Sequence, residues 1–194
     1  AGAIVLYKTA FQTRDEILRK HKLARKGVET VAEIQNKRAL RRGTHLEPAV
    51  AEWATEDFKA MTDAHVEMEE PKAAFIREEL GIASSVDRIV TLNAPLVLTE
   101  PDGSEVVLYG KGICEIKTDF YHKDKPKPEW IIQVLHQMLC VAEIWPRKTD
   151  FDVIGSKSSV DWGVIACMCQ RGKMHYYPVT YNQHLFDRMI EAYD

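Results

Sequence analysis

The sequence predicts an α/β sandwich built around a mixed β-sheet. Two observations predict it. The hydrophobic spacing passes from helical to alternating, back to helical, to alternating again and to a last helical stretch. Hydrophobic residues make up 45% of the 194, enough for one domain with its own core, and 28% charged residues with no low-complexity run exclude wholesale disorder.

Thr13–Glu16 reads TRDE and fits a capping box, with Ile17, Leu18 and Leu23 following at rough helical spacing. Gly27 interrupts that pattern. A second helix is expected from about Val28 to Arg42, with Gly43 as its stop. The stretch THLEP then opens a third, in which Val50, Trp53, Ala54 and Phe58 recur at 3.6-residue spacing. Beyond MEEP the period becomes two. KAAFIRE and IASSVDRIVTL read as strands, and LVLTEPDGSEVVLYG reads as a hairpin turning at Pro101-Asp102-Gly103. GICEIKT, from Gly112 to Thr118, is the next strand, followed by the polar loop DFYHKDKPKP. Pro128 starts a helix expected over about Glu129 to Ile144. WGVIACMCQ and KMHYYPVTY form a second hairpin around Arg171-Gly172, and a final amphipathic helix holds Leu185, Met189 and Ile190. With no linker and no repeat, the expected organisation is one domain over 1–194. It comprises a basic helical region (1–42), a core (43–180) and a C-terminal helix (181–194).

Charge is distributed unevenly. Residues 1–42 hold eleven Lys/Arg against four acids, a net +7, and the remainder holds fifteen against twenty-five, a net −10. A basic arm on an acidic body suits a polyanionic partner, and it equally suits a solvated helical face. The four cysteines, Cys114, Cys140, Cys167 and Cys169, sit in apolar contexts without a Cys-x-x-Cys spacing. They read as reduced core residues of a cytoplasmic protein rather than zinc or iron–sulfur ligands. The early apolar run AGAIVLY is too short for a signal peptide or a membrane span.

The chemistry concentrates in GICEIKT. Glu115 and Lys117 stand two apart, so on a strand both leave the same face. Alone they make an ordinary ion pair. Beside a second acid they make a hydrolytic metal site, because carboxylates offer Mg²⁺ or Mn²⁺ hard oxygen ligands. A neighbouring lysine then positions water or stabilises charge at the reacting phosphate. Asp87, at the end of the apolar run SSVDRIV, is the candidate second acid. Asp102, 13 residues before Glu115, is its rival, but a Pro-Asp-Gly turn demands an Asp for its own reasons.

Asp, hairpin and Glu-Ile-Lys in this order resemble the PD-(D/E)XK nuclease superfamily, and within it the lambda-exonuclease-like, YqaJ-type viral recombinases. RRGTHLEPAVAEW is similar to that branch's Gly-x-x-x-Glu helix, FIREELGIASSVDRIV to its strand leading into Ser-Pro-Asp-Gly, and WIIQVLHQMLCVAE to its Gln-x-x-x-Gln helix. WGVIACMCQRGKMHYYPV matches the closing hairpin in pattern. The likeness covers roughly 41–180, and its order is more specific than any one motif. Val86 and Arg88 depart from it, standing where the family has Pro and Gly.

The resemblance implies a restriction-endonuclease-like core: a central mixed sheet flanked by helices, with a helical N-terminal region. It implies a Mg²⁺-dependent deoxyribonuclease, with Mn²⁺ able to substitute. Asp87, Glu115 and the Ile116 carbonyl would hold the metal, with Glu47 facing it. Lys117 would be catalytic, and Gln133 would bond the attacking water, the lysine or a phosphate. Glu47 also fits a capping box, THLE, and there would serve only a helix end. Gln137 is expected toward DNA, together with Arg25, Arg41, Arg42, Lys123 and Lys125. Lys127 shares their loop, and His136 reads as a packed histidine. The family activity is 5′→3′ resection of double-stranded DNA ends, with a single-strand-annealing protein as partner and a homotrimer as assembly. An endonuclease or nickase of the same superfamily, a DNA-binding protein with a decayed site, and a regulatory partner-binding module are the alternatives.

Overall fold

The computed structural model describes residues 16, 19, 31–100, 102–119, 125–141, 160, 162–169 and 172–193, with only the backbone described for 31–42, 79, 192 and 193. Apart from Glu16 and Arg19, the helix expected at Thr13–Leu23 lies outside the described residues, as do Gly27, Pro101 and Arg171.

Helix α1 spans Val31–Thr62 without a break. This differs from the two helices expected on either side of Gly43, and the reason lies in the second half. Val50, Ala51, Ala54 and Phe58 are buried against the sheet and hold that half in place. A helical glycine costs only about 1 kcal/mol, so Gly43 does not stop the winding. The helix also tolerates Pro48 within it, at the loss of a backbone donor. Glu47 therefore lies mid-helix and does not serve as the capping-box acid of a new N-terminus.

Strand β1, Val66–Glu69, follows; the sequence reading had no strand there. Phe75–Arg77 (β2) and Ile82–Ser84 (β3) form a small antiparallel ladder joined through a 3-10 turn at Glu78–Leu80. The expected long strand from Ile82 to Leu92 is thus two. β3 ends at Ser84, and β4 starts at Arg88 and runs to Thr99. β4 continues through Asn93-Ala94-Pro95 with a register shift between Leu92 and Leu96. β5 spans Glu105–Thr118, α2 Pro128–Val141, β6 Trp162–Met168, β7 Met174–Thr180 and α3 Gln183–Tyr193.

Among the described residues the main sheet has five strands in the order β1-β4-β5-β6-β7. β5 and β6 run parallel and the other neighbours antiparallel, so the sheet is mixed as expected. The crossover between the two parallel strands carries α2. All seven residues of β6 are buried, as a parallel strand covered on both faces requires. One face packs on α1 through Leu96, Leu98, Leu108, Cys114, Ile116 and Val164. The other packs Ile113, Ile165 and Cys167 on α2 and α3 through Val134, Leu135, Met138, Phe186 and Met189.

Two glycines are fixed by close approach. A Cβ on Gly163 would lie 2.3 Å from Val134 Cγ1, so α2 is seated directly on β6. A Cβ on Gly112 would lie 2.3 Å from the Trp162 ring, whose Nε1 donates to the Tyr109 carbonyl at 2.8 Å. All four cysteines are buried, as the apolar contexts predict, and they form no disulfide with one another. No helix among the described residues is long and apolar enough to cross a membrane.

Candidate active site

Asp87 sits at a bend immediately before β4. Arg88 pairs with Cys114 at the end of the antiparallel β4–β5 ladder, so Asp87 lies at that end, close to the Glu115 side of β5. The contact follows this register: the Ile116 N–H donates to Asp87 Oδ2 at 2.8 Å. In an extended strand a residue's N–H and C=O leave from the same edge, so the Ile116 carbonyl lies on the edge that carries Asp87. Two acids 28 positions apart in sequence are brought together by one hairpin.

Glu115 is 1% exposed, a deep position for a carboxylate. Its charge is met by three donors. Lys117 Nζ and Gln133 Nε2, the latter at 2.5 Å, both donate to Oε1. Gln137 Nε2 donates to Oε2 at 2.5 Å. Gln133 closes a triangle, because its Oε1 accepts from Lys117 Nζ at 3.0 Å. Gln133 and Gln137 are one helical turn apart on α2, which gives them a common face. Gly163 lets that face reach β5.

Burial pushes the Asp87 carboxyl up to about 6, and the negative charge of Glu115 adds to the push. The Ile116 amide and the charges of Lys117 and Arg88 oppose it. Two carboxylates thus repel each other near the end of β5, beside an amine and two side-chain amides that donate to Glu115. Carboxylate oxygens are the donors a hard divalent cation takes. Among the described residues no three His, Cys, Asp or Glu side chains gather closely enough to hold a metal ion. A pair suffices for Mg²⁺, which binds through one or two carboxylates and keeps several waters.

The other predicted residues lie as follows. Asp102 is exposed in the hairpin turn, where Oδ1 accepts from Ser104 N at 2.9 Å and Ser104 Oγ at 2.7 Å. Those bonds hold its carboxyl below the usual range and account for it as a turn residue. Glu47 projects from α1 onto the opposite face of the sheet, where Oε1 accepts from Arg88 Nη1 at 3.0 Å. Gln137, expected toward DNA, lies in the interior, 1% exposed, bonded to Glu115 and to the Ser85 carbonyl at 3.1 Å. His136 Nε2 lies 3.2 Å from the Ala83 carbonyl, and burial lowers its pKa. Lys125 is exposed. Lys127 Nζ pairs with Asp119 Oδ2 at 2.5 Å and lies 4.8 Å from the centre of the Trp130 ring. Arg25 and Lys123 lie outside the described residues, as do the side chains of Arg41 and Arg42.

Arg88 is the residue that sequence reasoning passed over, treating it as a departure from a motif. A signal was present. Arg88 alternates with Val90 and Leu92 on a buried face, where an arginine needs partners. It is 6% exposed and donates through Nη1 to Glu47 and to the Asp87 carbonyl at 2.5 Å, with Glu70 Oε2 3.7 Å from Nη2.

Residues 4–151 match the model of the YqaJ-like viral recombinase domain. The chain belongs to the YqaJ-like viral recombinase family. No curated protein matches it. The matched span contains Glu47, Asp87, Glu115, Lys117, Gln133 and Gln137, and its end precedes β6. As a member of the YqaJ-like family the chain takes an α/β fold with a mixed sheet, five-stranded among the described residues, consistent with a restriction-endonuclease-like core.

Proposed function

We propose that this YqaJ-like protein is a divalent-metal-dependent deoxyribonuclease, and specifically a phage-type 5′→3′ exonuclease that resects double-stranded DNA ends. The observation that carries the reading is the approach of Asp87 to Glu115 and Lys117 near the C-terminal end of the central strand β5, with the lysine amine shared between Glu115 and Gln133.

Asp87, Glu115 and the Ile116 carbonyl would hold Mg²⁺, or Mn²⁺ in its place. When bound, the ion supplies Lewis-acid stabilisation to a phosphodiester oxygen and acidifies a water. The chain's own groups do the rest. Gln133 fixes the Lys117 ammonium by accepting from it while donating to Glu115. An ammonium held in this way needs no reorganisation to meet charge developing at the reacting phosphate, or to orient the attacking water. Gln137 holds the second oxygen of Glu115 from inside the core, a positioning task rather than a DNA contact. Arg25, Arg41, Arg42, Lys123 and Lys125 would grip the DNA backbone, and the +7 charge of residues 1–42 supports that role. A single-strand-annealing protein would receive the resected strand, in the cytoplasm of the host cell, and a homotrimer would keep the enzyme on its substrate.

The test offers the protein a 5′-phosphorylated linear duplex and a covalently closed circle. Mg²⁺-dependent release of nucleotides from the linear DNA, absent in Glu115→Ala, is expected. Cutting of the closed circle would replace the exonuclease with an endonuclease. Tight DNA binding with no hydrolysis in any divalent metal would leave a DNA-binding protein.

A further inference from the structure

We propose that Arg88 is a positioning residue that ties α1 to the turn carrying Asp87, and that Glu47 serves the site as the counter-ion of Arg88 rather than as a metal ligand. The inference rests on the reading of Asp87 and Glu115 as a cation-binding pair.

Asp87 sits at the bend just before β4 and Arg88 is the first residue of that strand. Their side chains meet different elements: Asp87 Oδ2 accepts from the Ile116 amide and feels the charges of Glu115 and Lys117 on β5, whereas Arg88 Nη1 donates to Glu47 on α1. A guanidinium does not shed its charge, so burial obliges it to find acceptors. Arg88 finds three. Glu47 Oε1 accepts from Nη1 at 3.0 Å, the Asp87 carbonyl accepts from the same nitrogen at 2.5 Å, and Glu70 stands 3.7 Å from Nη2. Glu70 is the position facing Arg88 when the β1–β4 register is carried one step past Glu69↔Ile89.

The bond to the Asp87 carbonyl gives the cluster its functional content. It fixes the peptide from which the Asp87 side chain departs, and the Ile116 amide fixes the other end of that side chain. Glu47 is thereby linked to Asp87 through the guanidinium, while its own oxygen is committed to Arg88. An ion pair placed for stability alone needs no bond to the backbone of the acid next to it.

Mn²⁺ alone is titrated by calorimetry into wild type, R88M, E47Q and the double variant, each checked for a cooperative melt. R88M is expected to weaken Mn²⁺ binding by about ten- to hundredfold, the loss typical when an outer partner of a metal ligand is removed. Its turnover should recover as Mn²⁺ is raised, which a general loss of structure would not permit. E47Q is expected to weaken binding less, and to add nothing once Arg88 is gone. Wild-type affinity in R88M overturns the proposal, and so does an equal loss from E47Q in both backgrounds, which makes Glu47 a ligand. If R88M does not fold, R88K serves. It keeps the charge without the planar fork, is expected to bind several-fold more weakly, and wild-type affinity there is equally fatal. Wild type that binds no Mn²⁺ removes the cation reading itself. Binding that is lost in E115Q yet indifferent to Arg88 removes this inference alone.

Discussion

If Asp87 holds the cation as proposed, its carboxyl should make cation binding depend on pH in a range where ordinary aspartates are silent. Burial and the Glu115 charge raise it from 3.8 to about 6. At a pKa of 6 about nine-tenths of the group is ionised at pH 7 and about one-tenth at pH 5. An ion that needs the ionised form should therefore bind about tenfold more weakly at pH 5 than at pH 7, one proton leaving per cation. An aspartate at 3.8 would lose only about 6% of its ionised form over the same interval. The stability of the metal-free protein moves the other way. A pKa higher in the folded state than in the unfolded chain means that protonation favours folding. This contribution is full below 3.8 and is lost as pH rises through about 6. It amounts to at most about 3 kcal/mol, less for a half-buried group that solvent screens. The assay is Mn²⁺ calorimetry from pH 5 to 8, paired with melts in chelator, on wild type and Asp87→Asn. The expected result is a tenfold affinity change that flattens in the variant. An affinity flat from pH 5 to 7, or the same slope in Asp87→Asn, refutes the reasoning.

Three more expectations concern the groups around that pair. Lys117→Ala should keep Mn²⁺ affinity and lose turnover by about 10²- to 10³-fold, the usual cost of one transition-state donor; equal loss of both would mark a structural ion pair. Gln137→Leu removes a bond to a charged acceptor and one to a carbonyl, and also a buried Oε1 without a partner among the described residues. The net cost should be about 1–3 kcal/mol in urea unfolding, and an unchanged midpoint would contradict the role given to Gln137. Gly163→Ala places a methyl 2.3 Å from Val134 and should cost about 1–3 kcal/mol while lifting Gln133 and Gln137 off Glu115, to be read from the melting temperature together with Mn²⁺ affinity.

Much of the architecture was legible because its signals are local. The Pro-Asp-Gly turn, the alternation through Gly112–Thr118 and the proline at the start of α2 each act over a few residues. The spacing of Glu115 and Lys117 shows their shared face, and the i, i+4 spacing of the glutamines shows theirs. Two kinds of feature were hidden. Gly43 and Pro48 carry local stop signals, and the burial of Val50, Ala54 and Phe58 against distant strands outweighed them. The depth of Gln137 and the pairing of Glu47 with Arg88 depend on which sheet face each element meets. That is set by the register of β4 on β5, which a single strand's pattern does not encode. β1 was missed because its four residues, Val66–Glu69, include two glutamates and do not look like a buried strand.

A crystal soaked in Mn²⁺ and measured for anomalous scattering tests the metal pair most directly. A manganese peak within ligand distance of both the Asp87 and the Glu115 carboxylates is the predicted result. A peak on Asp102 or Glu47 with nothing at Glu115, or no bound ion in protein that still degrades DNA, would contradict it.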